Sequence, residues 1–181
     1  MMSDDQILEL IGHQSSFEKG FRLLVEKYQE KLYWHIRRMV VDHEEANDVM
    51  QNTFIKVYRN IDRFKGDSAL YTWMYRIATN TCLTHLQKKK RQNTASIDEM
   101  DGISQKLEAD TYFDGDKAEV LLYEALEQLP EKQRLVFQMR YFDDMSYREM
   151  SEVLGTTEGG LKASFHHAVK KIESFVKTYN V

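Results

Sequence analysis

One proline, Pro130, stands in 181 residues, and that scarcity constrains the backbone more than any other feature. Proline removes an amide donor and breaks helices, so nearly the whole chain is free to propagate them. The alternation of a half-buried strand is hard to find, and the expected fold is all-α. Phe17, Phe21, Leu24, Val25, Tyr28, Leu32, Ile36 and Met39 recur at three- and four-residue spacing, lining one face of a long amphipathic helix. Asp42 can cap the next, with Glu45 three residues on as in a capping box. Its buried stripe is Ala46, Val49, Met50, Phe54, Val57, Tyr58 and Ile61. A third helix begins near Asp67 or Ser68 and runs through Leu70, Trp73, Met74, Ile77 and Cys82. It ends in Lys88, Lys89, Lys90 and Arg91, where positive charge complements the helix dipole.

From Asn93 the apolar period fades while Asp98, Glu99, Asp101, Asp110, Asp114 and Asp116 accumulate, which reads as an acidic linker. Helical pattern resumes at Glu119, stops at Pro130 and restarts through Leu135, Val136, Met139 and Phe142. Ser146 can cap a short helix bearing Met150, Val153 and Leu154; Gly155 suits a left-handed terminus, and a further helix starts at Thr157 or Glu158. Helix, glycine turn, helix is the layout of a helix-turn-helix, whose second helix enters the major groove. The expected organisation is therefore two small helical domains, 1–92 and 119–181, joined by a flexible acidic linker over 93–118.

A formal net charge of −4 argues against a nucleic-acid partner only until it is partitioned. Residues 1–92 carry 15 basic and 12 acidic side chains (+3), 93–118 carry 2 and 7 (−5), and 119–181 carry 8 and 10 (−2). A single cysteine, Cys82, permits no internal disulfide, and no apolar run is long enough for a membrane span or a secretory signal, so the expected compartment is the cytoplasm. Enzyme readings fare poorly. His166 and His167 are adjacent and point about 100° apart on a helix, so they do not form an i,i+4 metal pair; Cys82 has His85 near it but no third orienting group. No nucleotide-binding fingerprint occurs. Neither metal, cofactor nor catalysis is expected. What the chain offers is aromatics mixed with cations around Phe64, Tyr71, Trp73 and Tyr75, the composition that holds unstacked bases. Trp73, in register with Leu70 and Ile77, reads as core rather than as a stacking platform.

The stretch from Phe64 to Asn80, FKGDSALYTWMYRIATN, closely resembles the promoter-melting segment of extracytoplasmic-function sigma factors, small specificity subunits of bacterial RNA polymerase. Upstream, Ala46 to Phe54 (ANDVMQNTF) is similar to that family's core-polymerase-binding helix. Downstream, Leu129 to Arg134 (LPEKQR) and Ser146 to Gly155 (SYREMSEVLG) are similar to its fourth conserved region. The likeness covers about residues 15–92 and 119–176, with three motifs in the family's order.

This resemblance implies roles. Asp48, Gln51, Asn52 and Lys56 would face the clamp helices of the largest polymerase subunit. Asn60, Phe64, Tyr75, Ile77 and Asn80 would form a pocket for a flipped non-template base of the minus-ten element, with Arg76 and Lys88 to Arg91 on the DNA backbone. A flipped base needs an apolar wall and a hydrogen-bonding amide to offset the cost of unstacking. The minus-thirty-five duplex would meet Arg148, Thr157, Gly159, Gly160, Lys162, Ser164, His166, His167 and Lys170. The implied partners are core RNA polymerase, promoter DNA and an anti-sigma protein, serving a stress or envelope-signal regulon, and the linker would occupy a basic polymerase channel. Departures from the family pattern are Thr84 and Gln87 late in the melting helix, Asn47 and Asn52 in place of common acids, and Ser164 and His167 where arginine is frequent. With a net −2, the C-terminal half alone should bind duplex DNA poorly. The rival reading is a stand-alone helix-turn-helix regulator. It leaves the aromatic segment and the polymerase-like helix without a purpose, and needs a dimerisation surface that the sequence does not supply.

Overall fold

In the computed structural model, residues 2–93 and 117–179 are described, and they contain helices and turns but no strand. Residues 94–116, most of the expected acidic linker with Asp98, Glu99, Asp101 and Asp110, lie outside the described residues. Four helices precede that segment: α1 (Asp4–Gly12), α2 (Phe17–Val40), α3 (His43–Asn60) and α4 (Leu70–Asn93), with a 3-10 turn at Ile61–Arg63. Four follow it: α5 (Lys117–Glu127), α6 (Glu131–Tyr141), α7 (Tyr147–Leu154) and α8 (Glu158–Tyr179).

Sequence reading assigns no helix to Asp4–Gly12, yet its signals are local. The Ser3 hydroxyl accepts from Gln6 N at 3.2 Å and the Gln6 amide oxygen accepts from Ser3 N at 2.9 Å, a complete capping box. Ile7 and Ile11 are buried on the inner face. Lys27 and the Tyr28 hydroxyl both donate to Asp4 at 2.6 Å. Burial alone would raise the Asp4 carboxyl, but these two donors outweigh it and hold the group below its ordinary value. The docking depends on Gly20, where an added Cβ would lie 2.9 Å from the Ile11 backbone nitrogen and from the Leu10 side chain. Backbone cannot swing aside as a side chain can. Gly20→Ala is therefore expected to cost ~1–3 kcal/mol by overpacking, seen as a lower melting temperature and faster amide exchange confined to residues 4–12.

At α3 the Asp42 cap is present, accepting from Glu45 N at 3.0 Å, but the reciprocal half of the expected box is not. The Glu45 carboxylate instead reaches across to α4, bonding His85 Nε2 at 3.2 Å and Lys89. An ion pair between helices wins over a local amide. Leu24, Leu32 and Ile36 of α2 pack with Val49 and Val57 of α3 and with Met74, Ala78 and Cys82 of α4. Burial pushes the Cys82 thiol up to about 12, so it is an inert packed group.

The second group builds its core from Ala125, Leu126, Leu129, Phe137, Ala168 and Ile172. Ser146 caps α7 with a full box involving Glu149, and Gly155 closes it at φ 62°, the left-handed region that glycine enters freely. Val136, Met139, Met145, Met150, Val153 and Leu161 join the cluster of the first group, so one apolar core runs through both halves.

Candidate nucleic-acid and polymerase interface

The 3-10 turn and the start of α4 leave a cleft between α3 and α4 of about 360 Å³, lined by Lys56, Asn60, Arg63, Trp73, Ile77 and Asn80. Three of these, Asn60, Ile77 and Asn80, are sequence-assigned to a base pocket, and the helices bring them together. Ile77 and Trp73 supply apolar wall, while Asn80 is exposed and its amide makes no hydrogen bond among the described residues. Asn60 donates to the Lys56 carbonyl at 2.8 Å, which leaves its amide oxygen as an acceptor. Lys56 donates to the Thr81 hydroxyl at 3.0 Å and so leans from the α3 surface toward this cleft. Trp73 is half-buried against the core, as its register suggests, and also lines the cleft, with Phe64 packed on it at a ring separation of 5.5 Å.

Tyr75 is a correction. Its ring is 4% exposed, packed on His35, with its hydroxyl toward the Lys31 carbonyl at 3.4 Å, so it supports α2 and lines no base pocket. Its position two residues before Ile77 turns it to the opposite side of the helix. Arg76 is exposed and does not line the cleft; its Nε donates to the Glu152 carbonyl at 2.8 Å, a contact with the second helical group. Of the basic run, Lys88 is exposed, whereas Lys89 is tied to Glu45 and is not a free backbone contact.

On the other side of α3, Asp48, Gln51 and Asn52 are exposed as expected. Beside them lies an apolar groove of about 690 Å³ walled by Phe21 and Val25 from α2 and by Met50, Phe54, Ile55 and Tyr58 from α3. Sequence reading placed Met50, Phe54 and Tyr58 in the buried stripe. Ile55 and Tyr58 are 42% and 46% exposed, and Phe17 and Phe21 meet the Tyr58 ring edge-on. The missed signal was the width of the pattern, because with Ile55 the apolar set exceeds what one neighbouring helix can cover.

In the second group α7 and α8 form the helix-turn-helix. Met150, Val153 and Leu161 lock the two helices together, and Phe165 stacks on Phe137 at 5.7 Å. Thr157 caps α8 by accepting from Gly160 N at 3.3 Å. A Cβ on Gly160 would crowd that cap oxygen at 3.2 Å, whereas one on Gly159 would meet nothing within 4 Å. Thr157, Lys162, His166, His167 and Lys170 are exposed, Ser164 is half-buried, and Arg148 projects from α7 with a salt bridge to Glu152 at 3.5 Å. The His166 and His167 ring centres sit 6.1 Å apart, with their planes inclined at 57°. Among the described residues no cluster of histidine, cysteine and carboxylate side chains could hold a metal.

A cleft with exposed amides in one helical group and a helix-turn-helix in the other are the two candidate nucleic-acid surfaces of the chain. Residues 24–92 match sigma-70 region 2 and residues 119–172 match sigma-70 region 4. The chain is 35% identical to the RNA polymerase sigma-H factor of Pseudomonas aeruginosa, over 94% of this chain and 92% of that one. It is 30% identical to the ECF RNA polymerase sigma-E factor of Escherichia coli K12, over 97% and 95%. The chain belongs to the extracytoplasmic-function sigma factors of RNA polymerase. Its fold is shared with sigma factor RpoE of Bartonella quintana, solved with the anti-sigma factor NepR (TM-score 0.72, 20% identity, covering 88% of this chain and 98% of that one). CnrH, solved with the cytosolic domain of CnrY, is similar at TM-score 0.69 and 22% identity, covering 97% and 99%. No helix among the described residues is long and apolar enough to cross a membrane.

Proposed function

We propose that this sigma factor melts the minus-ten element by drawing one non-template base into the cleft between α3 and α4, while α8 reads the minus-thirty-five duplex. The observation that carries the reading is the convergence of Asn60, Ile77 and Asn80, from two helices, on one cleft that the Lys56 and Arg63 cations also line. An aromatic or aliphatic wall with unspent amide groups is what recognises an extruded base, and the basic side chains around it hold phosphates. Asp48, Gln51 and Asn52, with the apolar groove behind them, take the polymerase clamp helices. Lys56 stands between the two surfaces, and its lean toward Thr81 favours the base cleft. On α8 the small residues Gly159 and Gly160 let the duplex approach the helix start, with Thr157, Lys162, Ser164, His166, His167, Lys170 and Arg148 around it.

The chain supplies no chemistry; polymerase makes the phosphodiester bonds. Because 119–181 carries a net −2, duplex binding by α8 gains its strength from tethering, as the first domain raises the effective concentration of the second at the promoter. The cellular setting is the cytoplasm, under control of an anti-sigma protein, for a stress or envelope-signal regulon. The deciding experiment adds the purified chain to core polymerase with a library of genomic promoters and sequences the transcripts. Discrete start sites preceded by a shared pair of elements are expected. Operator binding without polymerase, with no gain in initiation, would establish the stand-alone regulator instead.

A further inference from the structure

Residues 119–181 contain two histidines, His166 and His167, and both stand exposed on α8. At 3.6 residues per turn, Gly159, Ala163 and Lys170 fall along one line of that helix, opposite the buried Leu161, Ala168 and Ile172. The two imidazoles flank the line at about 50° to either side. An added Cβ on Gly159 would meet nothing, so the fold itself does not ask for a glycine there. A helix whose outer line begins with two small residues can seat deeply in a major groove about 12 Å wide. Its flanking rings then come to the phosphate walls on the two sides.

The other cations around the helix-turn-helix are already accompanied by carboxylates. Lys162 Nζ lies 3.9 Å from Glu158 and 5.6 Å from the Tyr147 ring centre. Arg148 pairs with Glu152, and Arg140 lies 3.9 Å from Asp144 while donating to the Met145 carbonyl at 2.8 Å. Each pair sums to zero charge, so together they project no net positive field toward DNA. Further charge comes from Lys171 and Glu173 on α8 itself, Arg134 on α6, and Glu124 and Glu127 on α5. Glu149 on α7 accepts hydrogen bonds from Ser146 and from the Tyr71 hydroxyl. No carboxylate among the described residues pairs with either imidazole, and Lys170 has no ion pair among them. What remains to grip a duplex is Lys170 and the two rings. Protonating both rings takes the net charge of 119–181 from −2 to zero.

We propose that His166 and His167 are conditional phosphate grips, which as imidazolium groups clasp the two strands beside the major groove and tighten upstream-element binding as pH falls. The inference rests on the proposed minus-thirty-five role of α8. Histidine is the side chain whose charge ordinarily changes between about pH 5 and pH 8. A phosphate beside an imidazole favours its charged form, so duplex binding and proton uptake are linked. The sign follows: the bound state holds more protons than the free state, and affinity rises toward acid. Each imidazolium on a phosphate also releases counterions, which steepens the salt dependence by about 0.9 per contact. Arginine at these two positions would hold phosphate at every pH; histidine makes the grip depend on the medium.

The test uses holoenzyme, the full chain with core polymerase, on a promoter fragment found by the transcript sequencing described above. A second fragment has its upstream element scrambled. Filter binding of the closed complex is measured across pH and salt. From about pH 8 to pH 6 the preference for the intact fragment is expected to rise about tenfold, with a salt slope steeper by about 2. His166→Gln with His167→Gln keeps polar side chains that do not titrate, and should flatten both responses with helicity retained. His166→Lys with His167→Lys should bind tightly at both ends of the range, also without pH response, so a poorly folding glutamine pair leaves the inference testable. A parent-like pH response and salt slope in either double variant would overturn the grip. A response that the glutamine pair abolishes but that is equal on intact and scrambled fragments keeps the imidazole grip and removes the minus-thirty-five element as its site.

Discussion

Asn80→Ala is expected to slow open-complex formation while leaving closed-complex binding within about twofold of the parent. The exposed amide at the mouth of the α3 and α4 cleft makes no internal hydrogen bond among the described residues, so its loss should cost the fold little. A flipped base left without that partner loses ~1–3 kcal/mol, roughly 5- to 150-fold in the step where the base enters. Permanganate footprinting of unpaired thymines against time, beside filter binding of the closed complex, reads the two steps separately. Equal losses in both would place Asn80 on duplex DNA instead of in a base pocket.

Leu161→Ala should have the largest effect on stability. Leu161 is fully buried at the first turn of α8 and packs against α7, so its removal opens a cavity where the two helices of the helix-turn-helix meet. Such truncations cost ~2–5 kcal/mol. A domain of this size rarely holds more than ~3–5 kcal/mol in reserve. The expected result is loss of amide protection over 117–179 with α1 to α3 retained, and loss of initiation on promoters that depend on the minus-thirty-five element. Leu161→Met keeps the volume and should cost less than ~1.5 kcal/mol. If both variants melted like the parent, the α7 and α8 contact would not carry the domain.

Legibility in the sequence differed from residue to residue for physical reasons. The helices from Phe17 onward follow from apolar period and from Asp42, Ser146 and Gly155, because capping and amphipathicity act within a few residues. The same local rules were present at Ser3 and Gln6, where the short α1 went unassigned. Glu45 fitted a capping box by spacing and serves α4 instead, since spacing does not register a cation brought in from 44 residues away. Tyr75 and Ile77 looked alike as pocket residues, but a helix turns two consecutive alternates to different sides. Tyr58 falls in the core-facing period and Ile55 outside it; both border an open groove because no third helix among the described residues covers that side of α3.

By itself the sequence determined the all-helical architecture, the helix-turn-helix with its glycine terminus, and the family, through three motifs in order. Each rests on neighbours a turn or two apart, and near-neighbour chemistry is written directly in the chain. Only the tertiary structure decided what Asp143, His35, Arg38, Tyr71 and Arg76 do. Asp143 lies 108 residues from His35, beyond any periodic signal, and an aspartate in a polar loop looks like a solvated residue until folding buries it. Its burial is decided where α2 and the loop between α6 and α7 meet, because pairing with His35 and Arg38 offsets the desolvation of the carboxylate.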